Sequence, residues 1–126
     1  MARPALPEHA TRPAAYLDAI EQARRELSIP VIASLNGITP GGWTRYARQI
    51  EEAGAHAIEL NVYFVAANAT ETAESVEERY ATIVAAVRDV VRIPVAVKLS
   101  PFFSALPSVA RRLVACGADG LVLFNR

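Results

Sequence analysis

The sequence predicts a parallel α/β architecture, about half of a (β/α)8 barrel, and three observations carry that prediction. Ile93-Pro94-Val95-Ala96-Val97-Lys98-Leu99-Ser100-Pro101 is a short run apolar on both faces, as a parallel strand covered by helices would be. The same unit occurs earlier, where Ile29-Pro30-Val31-Ile32-Ala33-Ser34-Leu35-Asn36 matches residues 93–100 in position and type. Downstream, Ala47-Arg48 and Glu52-Ala53-Gly54-Ala55 correspond to Ala110-Arg111 and Ala115-Cys116-Gly117-Ala118, and each Gly leads into a second apolar run. A repeat of strand, helix, Gly and strand is the pattern of tandem βα units. An open doubly wound sheet would fit the same order of elements. No Gly-x-Gly-x-x-Gly follows any strand, which counts against its dinucleotide-binding version.

The elements follow in order. Residues 1–13, rich in Ala and Pro, read as an irregular lead-in, and 14–126 as one domain. Tyr16, Leu17, Ile20, Ala23 and Leu27 fall at helical spacing over 14–27. Residues 31–35 form the first strand, with Thr39 as a cap before Pro40 and a second helix over about 43–53 that stops at Gly54. The second strand is 57–61. A loop over 62–72 leads to a third helix, where Ser75 and Glu78 fit a capping box and Val76, Tyr80, Ile83, Val84, Val87 and Val91 form its apolar stripe. Pro94 suits only the start of the third strand, because it cannot donate to a ladder. The fourth helix spans 105–116, with Ser104 as its cap and Gly117 as its stop, and the fourth strand is 121–124. A full barrel needs roughly 250 residues, so these 126 predict a truncated chain, or one whose exposed sheet edges lead to self-association or meet a second barrel half.

Composition narrows the functional classes. The chain is 52% apolar with a formal net charge of zero and no basic block, which argues against nucleic acid or an anionic membrane as partner. A single cysteine, Cys116, excludes an intrachain disulfide and fits a reducing compartment. The lead-in lacks the apolar core of a secretory signal, and no apolar run reaches membrane-spanning length. The expectation is a soluble cytoplasmic protein with a small-molecule substrate. His9 and His56 have no Cys, His or carboxylate neighbours at metal-ligand spacing, so no metal site is expected.

Lys98 sits where a strand leaves the sheet, the rim at which α/β folds bind ligands. Its charge needs an anion, a dipole or water there. Glu59 and Asn61 point to one side of their strand, so a salt bridge from Glu59 to Lys98 inside a barrel is expected. Arg111-Arg112 read as a solvated helix face, Cys116, Trp43 and Tyr46 as packing residues, and Phe102-Phe103 as a pocket mouth or a barrel cover.

Three stretches together, Ala57-Ile58-Glu59-Leu60-Asn61, Val97-Lys98-Leu99-Ser100-Pro101 and Gly117-Ala118-Asp119-Gly120-Leu121, resemble the dihydroorotate dehydrogenases, FMN-dependent (β/α)8 barrels of pyrimidine biosynthesis. The resemblance implies a flavin oxidoreductase. In it, Lys98 approaches the flavin ring and its charge stabilises the reduced form. Asn61 touches flavin and substrate, Asn125 binds substrate, and Ser34 is a further flavin contact. It also implies that the glycine-rich loops gripping the phosphate lie beyond Arg126, so FMN binding by this chain alone would be weak or absent.

One departure bears on the chemistry. Family members that oxidise dihydroorotate follow Glu-Leu-Asn with x-Ser-Cys-Pro-Asn, or Ser for the Cys, and that Cys or Ser is the base. Here the continuation is Val62-Tyr63-Phe64-Val65-Ala66. Phe64 cannot accept a proton, Ala66 replaces a substrate-binding Asn, and Tyr63 offers only a phenol, a poor base at neutral pH. No catalytic base is therefore assigned, which argues against dihydroorotate turnover by the family mechanism. Two other readings stand beside this one. One is a non-catalytic half-barrel or association module. The other is a barrel lyase using Lys98 as a Schiff-base nucleophile.

Overall fold

The computed structural model describes residues 12–36, 40–63 and 65–125. Helices and strands alternate through them: α1 (Arg12–Glu26), β1 (Ile32–Leu35), α2 (Pro40–Glu52), β2 (Ala57–Asn61), α3 (Ala73–Val90), β3 (Val95–Leu99), α4 (Leu106–Ala115) and β4 (Gly120–Leu123). The four strands form one parallel sheet in the order β1-β2-β3-β4. Sequential order with a helix after each of the first three strands is the winding of a partial (β/α)8 barrel, the predicted fold class.

Alternation along the strands sorts the side chains. Ala33, Leu35, Ile58, Leu60, Val62, Val95, Val97 and Leu99 are buried in one cluster with Ile20, Trp43, Ala47, Ile50, Val84, Val87, Val109 and Leu113 from the helices. The intervening residues, Ser34, Glu59, Asn61, Ala96 and Lys98, occupy the opposite face, and none of them is buried. The chemistry-bearing side chains therefore lie on the face that a barrel turns inward.

Several local expectations are corrected. The box at the start of α3 is formed by Thr72 and Ser75: the Ser75 N–H donates to Thr72 Oγ1 and the Thr72 N–H to Ser75 Oγ, both at 3.1 Å. Ser75 is thus the third residue of the helix rather than its cap. Glu78 instead binds Arg112 on α4, so Arg112 is an interhelical tie and only Arg111 remains a solvated cation. Helix α4 starts at Leu106 with no side-chain cap, so Ser104 does not cap it; Pro107 in its first turn lacks the N–H that a cap would satisfy. Leu27 and Tyr16, expected in the core, are exposed: among the described residues the helix packed on α1 is α2, and Tyr16 bonds the backbone of the edge strand β1 at Ser34. Phe102 is exposed, whereas Phe103 packs edge-on against Tyr80 with ring centroids 5.2 Å apart. Thr39, His9 and Phe64 lie outside the described residues.

The internal repeat runs deeper than the strands. Tyr16, Ile20, Arg24 and Val31 stand 64 residues before Tyr80, Val84, Arg88 and Val95, and Gly54 and His56 stand 63 before Gly117 and Asp119. The interactions repeat with the residues. Gly54 and Gly117 close α2 and α4 at φ +97° and +109°, left-handed values that suit glycine. A Cβ at Gly54 would fall 3.3 Å from Arg24 Cγ, and one at Gly117 only 2.5 Å from Arg88 Cγ. The Val31 N–H donates to His56 Nδ1 at 2.8 Å, and the Val95 N–H donates to Asp119 Oδ2 at 2.9 Å. The His56 N–H returns to the Val31 carbonyl at 2.8 Å and the Asp119 N–H to the Val95 carbonyl at 2.7 Å. Register repeats too: Ser34 pairs with Glu59 as Lys98 pairs with Val122.

Candidate functional site

The polar cluster on the inner face is built by strand register. Asn61 lies directly beside Lys98, and Glu59 one layer towards the N-terminal end of β2. Lys98 Nζ approaches Glu59 Oε1 at 3.0 Å, the salt bridge expected from the sequence. The side chains are 29% and 20% exposed, so the pair is only partly screened and holds the ammonium in place more than it stabilises the fold. The bridge crosses diagonally between neighbouring strands, which is within reach of two long side chains.

A second polar contact closes the group from the other side. Asn125, just past β4, donates from Nδ2 to Asn61 Oδ1 at 2.8 Å, and its own N–H reaches the Leu99 carbonyl at 2.6 Å. That backbone bond extends the β3–β4 ladder past Leu123 and sets the Asn125 side chain over β3 towards β2. With this bond made, the Asn61 amide retains its two N–H donors and Asn125 its carbonyl oxygen. Lys98, Asn61 and Asn125 thus meet at one end of the sheet, with Val122 beside Lys98 as an apolar neighbour.

Ser34 does not join them. It sits in register with Glu59, one layer deeper and one strand further from Lys98. Its backbone is held by Tyr16, whose hydroxyl accepts from the Ser34 N–H at 2.8 Å and donates to the Ser34 carbonyl at 2.7 Å. His56 is a backbone clamp between β1 and β2, as described above. The loop after β2 carries Tyr63, an exposed phenol. Behind it, Tyr80 donates to the Val62 carbonyl at 2.8 Å. Burial, reinforced by Tyr63 nearby, pushes the Tyr80 phenol above its ordinary pKa. Sequence reasoning took Tyr80 only as part of an apolar stripe; its spacing of 64 from Tyr16 was the available signal.

Among the described residues, no helix is long and apolar enough to cross a membrane. No group of three or more His, Cys, Asp or Glu among them is arranged to hold a metal ion.

A phosphonopyruvate hydrolase of known structure superposes with a TM-score of 0.67 over 90% of this chain and 43% of its own, at 18% identity, a likeness of fold alone. A relative from Aeropyrum pernix, provisionally named dihydroorotate dehydrogenase A (fumarate), is 39% identical over 108 residues, 84% of this chain and 35% of that one. The dihydroorotate dehydrogenase B (NAD(+)) catalytic subunit of Bacillus pumilus is 32% identical over 102 residues, 79% of this chain and 33% of its own. This chain therefore spans about a third of the length of the curated relatives it matches. The sequence model of the family described as dihydroorotate dehydrogenase matches residues 11–126. The chain belongs to the dihydroorotate dehydrogenase family.

Proposed function

We propose that this chain supplies the ring-binding and substrate-facing part of an FMN-dependent oxidoreductase of the dihydroorotate dehydrogenase type. The observation that carries the reading is the convergence of Lys98, Asn61 and Asn125 at one end of the inner face, tied by the Glu59 and Asn125 contacts. A flavin ring is flat and apolar, with carbonyl and N–H groups along one edge. A single cation, two amides and small apolar neighbours at Ala96 and Val122 match that set of groups.

In this reading Lys98 Nζ donates to the carbonyl edge of the ring and supplies positive charge where negative charge develops on reduction. Glu59 holds that side chain in place. Asn61 offers N–H donors shared between ring and substrate, and Asn125 orients Asn61 while its free oxygen faces the substrate. When bound, FMN would take two electrons from the substrate and pass them to an acceptor. Lys98 is the sole cation on the inner face of the described strands, which supports a ring subsite and leaves the phosphate without a partner here. With Phe64 at the position of the family base, the substrate we expect is one whose oxidation needs no Cys or Ser base from this loop.

The test is a titration of the purified chain with riboflavin and with FMN, followed by flavin absorbance and fluorescence. Equal affinity for the two, weakened in Lys98→Ala, is the expected result. No spectral change with either flavin would overturn the reading, and tighter binding of FMN than riboflavin would overturn the assignment of a ring-only site.

A further inference from the structure

We propose that Tyr80 is a positioning residue for the polar cluster on the inner face. From the helical layer it fixes the exits of β2 and β3, the strands that carry Asn61 and Lys98. The inference rests on the reading of that cluster as a flavin-ring site, and its test separates the two.

Tyr80 sits midway along α3 and is 3% exposed. A ring at this place fills the core whatever its substituent, so packing alone asks for no more than phenylalanine. The hydroxyl adds direction. A buried phenol O–H needs an acceptor, and the Val62 carbonyl accepts from it at 2.8 Å. Val62 is one residue past Asn61, whose pairing with Lys98 is the last in the β2–β3 register. The bond therefore fixes the peptide plane directly after Asn61, where the chain turns out of the sheet. Burial pushes this phenol above its ordinary pKa, so the proton that makes the bond is in place at neutral pH.

The same ring holds the other exit. Phe103 packs edge-on against Tyr80, with ring centroids 5.2 Å apart and planes at 75°. In that geometry the positive edge of one ring meets the negative face of the other. Strand β3 ends at Leu99. The Phe102 N–H then donates to Ser100 Oγ at 3.3 Å, a turn that leads into the Phe103 contact.

Consecutive residues of α3 also hold both ends of the connection from β2. Tyr80 binds Val62 at its start, and Arg79 binds Glu71 near its end. Bonds within the connection are local, such as the Ala67 N–H to the Val65 carbonyl at 2.9 Å and the Glu71 N–H to the Asn68 carbonyl at 3.0 Å. Local bonds shape a loop without setting its height over the sheet; the tie at Val62 sets it. The cluster depends on that height. Asn125 Nδ2 reaches Asn61 Oδ1 at 2.8 Å, and Lys98 Nζ lies 3.0 Å from Glu59 Oε1. A displacement of a few tenths of an ångström takes such bonds off their preferred length. One side chain that holds both exits keeps β2 and β3 matched.

The experiment compares Tyr80→Phe and Phe103→Leu with a remote control, His56→Ala, which removes a bond at the opposite end of the sheet. Denaturant midpoints first establish that all three retain the fold. Two readouts follow: riboflavin affinity by calorimetric titration, and the side-chain amide resonances of Asn61 and Asn125 in NMR spectra of the flavin-free chain. Tyr80→Phe should weaken riboflavin binding about 3- to 10-fold, the worth of one neutral hydrogen bond, and should shift both amide resonances. Phe103→Leu should move both readouts in the same direction. His56→Ala, at a comparable loss of stability, should leave both as they are in the unaltered chain. Unchanged affinity or unmoved amide resonances in Tyr80→Phe would overturn the proposal, and so would equal effects of Tyr80→Phe and His56→Ala. If the unaltered chain binds no riboflavin, the flavin reading falls, and the amide resonances alone decide for or against Tyr80.

Discussion

Asn125 donates to Asn61 across 64 residues of sequence, at 2.8 Å, and so joins the ends of β4 and β2 over the top of β3. The contact links the last described residue to the middle of the sheet beside Lys98, and it makes the site a cluster instead of a row of strand ends. Its strength is measurable by a double-mutant cycle. Asn61→Ala, Asn125→Ala and the double variant, unfolded in urea, should give a coupling energy of about 0.5–1.5 kcal/mol. A coupling near zero would mean that the two amides are solvated separately.

Lys98→Ala should weaken flavin-ring binding by about 10- to 100-fold, the worth of one charge-assisted hydrogen bond. Glu59→Gln should weaken it less, because the ammonium stays and only its tether is loosened. Calorimetric titration with riboflavin distinguishes the two. An equal loss for both variants would place Glu59, too, in direct contact with the ring.

The clamp at the start of β1 should accept a carboxylate. His56 Nδ1 receives the N–H of Val31, just before β1, and Asp119 Oδ2 that of Val95, the first residue of β3. His56→Asp should therefore cost under about 0.5 kcal/mol, whereas His56→Ala leaves the Val31 N–H without its acceptor and should cost about 1 kcal/mol. Thermal melts of both variants report the difference.

Glycine at the end of α4 is more constrained than glycine at the end of α2. Both adopt left-handed backbone, which costs another residue roughly 1–2 kcal/mol. At Gly117 a Cβ would also overlap Arg88, whose guanidinium binds Asp119 and the carbonyls of Val91 and Ile93. Gly117→Ala should thus destabilise by at least about 1 kcal/mol more than Gly54→Ala, as read from denaturant midpoints.

Alkali should unfold the protein partly through Tyr80. Its folded pKa is raised by burial, so the folded state retains a proton that the unfolded chain loses near pH 10. Stability is therefore unaffected below about pH 10 and falls as pH rises beyond it. Tyr80→Phe should cost about 0.5–1.5 kcal/mol at neutral pH through the lost bond to Val62. It should also show a shallower decline above pH 10. Parallel slopes for wild type and variant would indicate that another group governs alkaline unfolding.

The strands and their order were legible in the sequence, because apolar runs bounded by Pro and Gly leave little choice of element. Glu59 facing Lys98 was legible for a related reason: period-two alternation put Glu59 on one face with Asn61 at the strand end. The capping of α3 was less legible, since Thr72 and Ser75 are both competent caps and only backbone geometry chooses between them. Asn61 and Asn125 were each picked out by resemblance, but their mutual contact depends on the path of the chain past Leu123, which no local pattern encodes. Tyr16 and Tyr80, or His56 and Asp119, carry the repeat in residues whose roles differ in detail, and the match emerges only when their hydrogen bonds are compared.

By itself the sequence determined the alternating elements, the parallel sheet, the inner-face position of Glu59, Asn61 and Lys98, and the family. These follow from hydrophobic period, turn residues and motif spacing, all of which act over a few residues. The tertiary structure decided that Ser34 lies apart from Lys98 while Asn125 lies on Asn61, and that α1 guards an edge strand. Those outcomes depend on strand register and on which neighbour each surface meets, and both are set only when distant segments pack together.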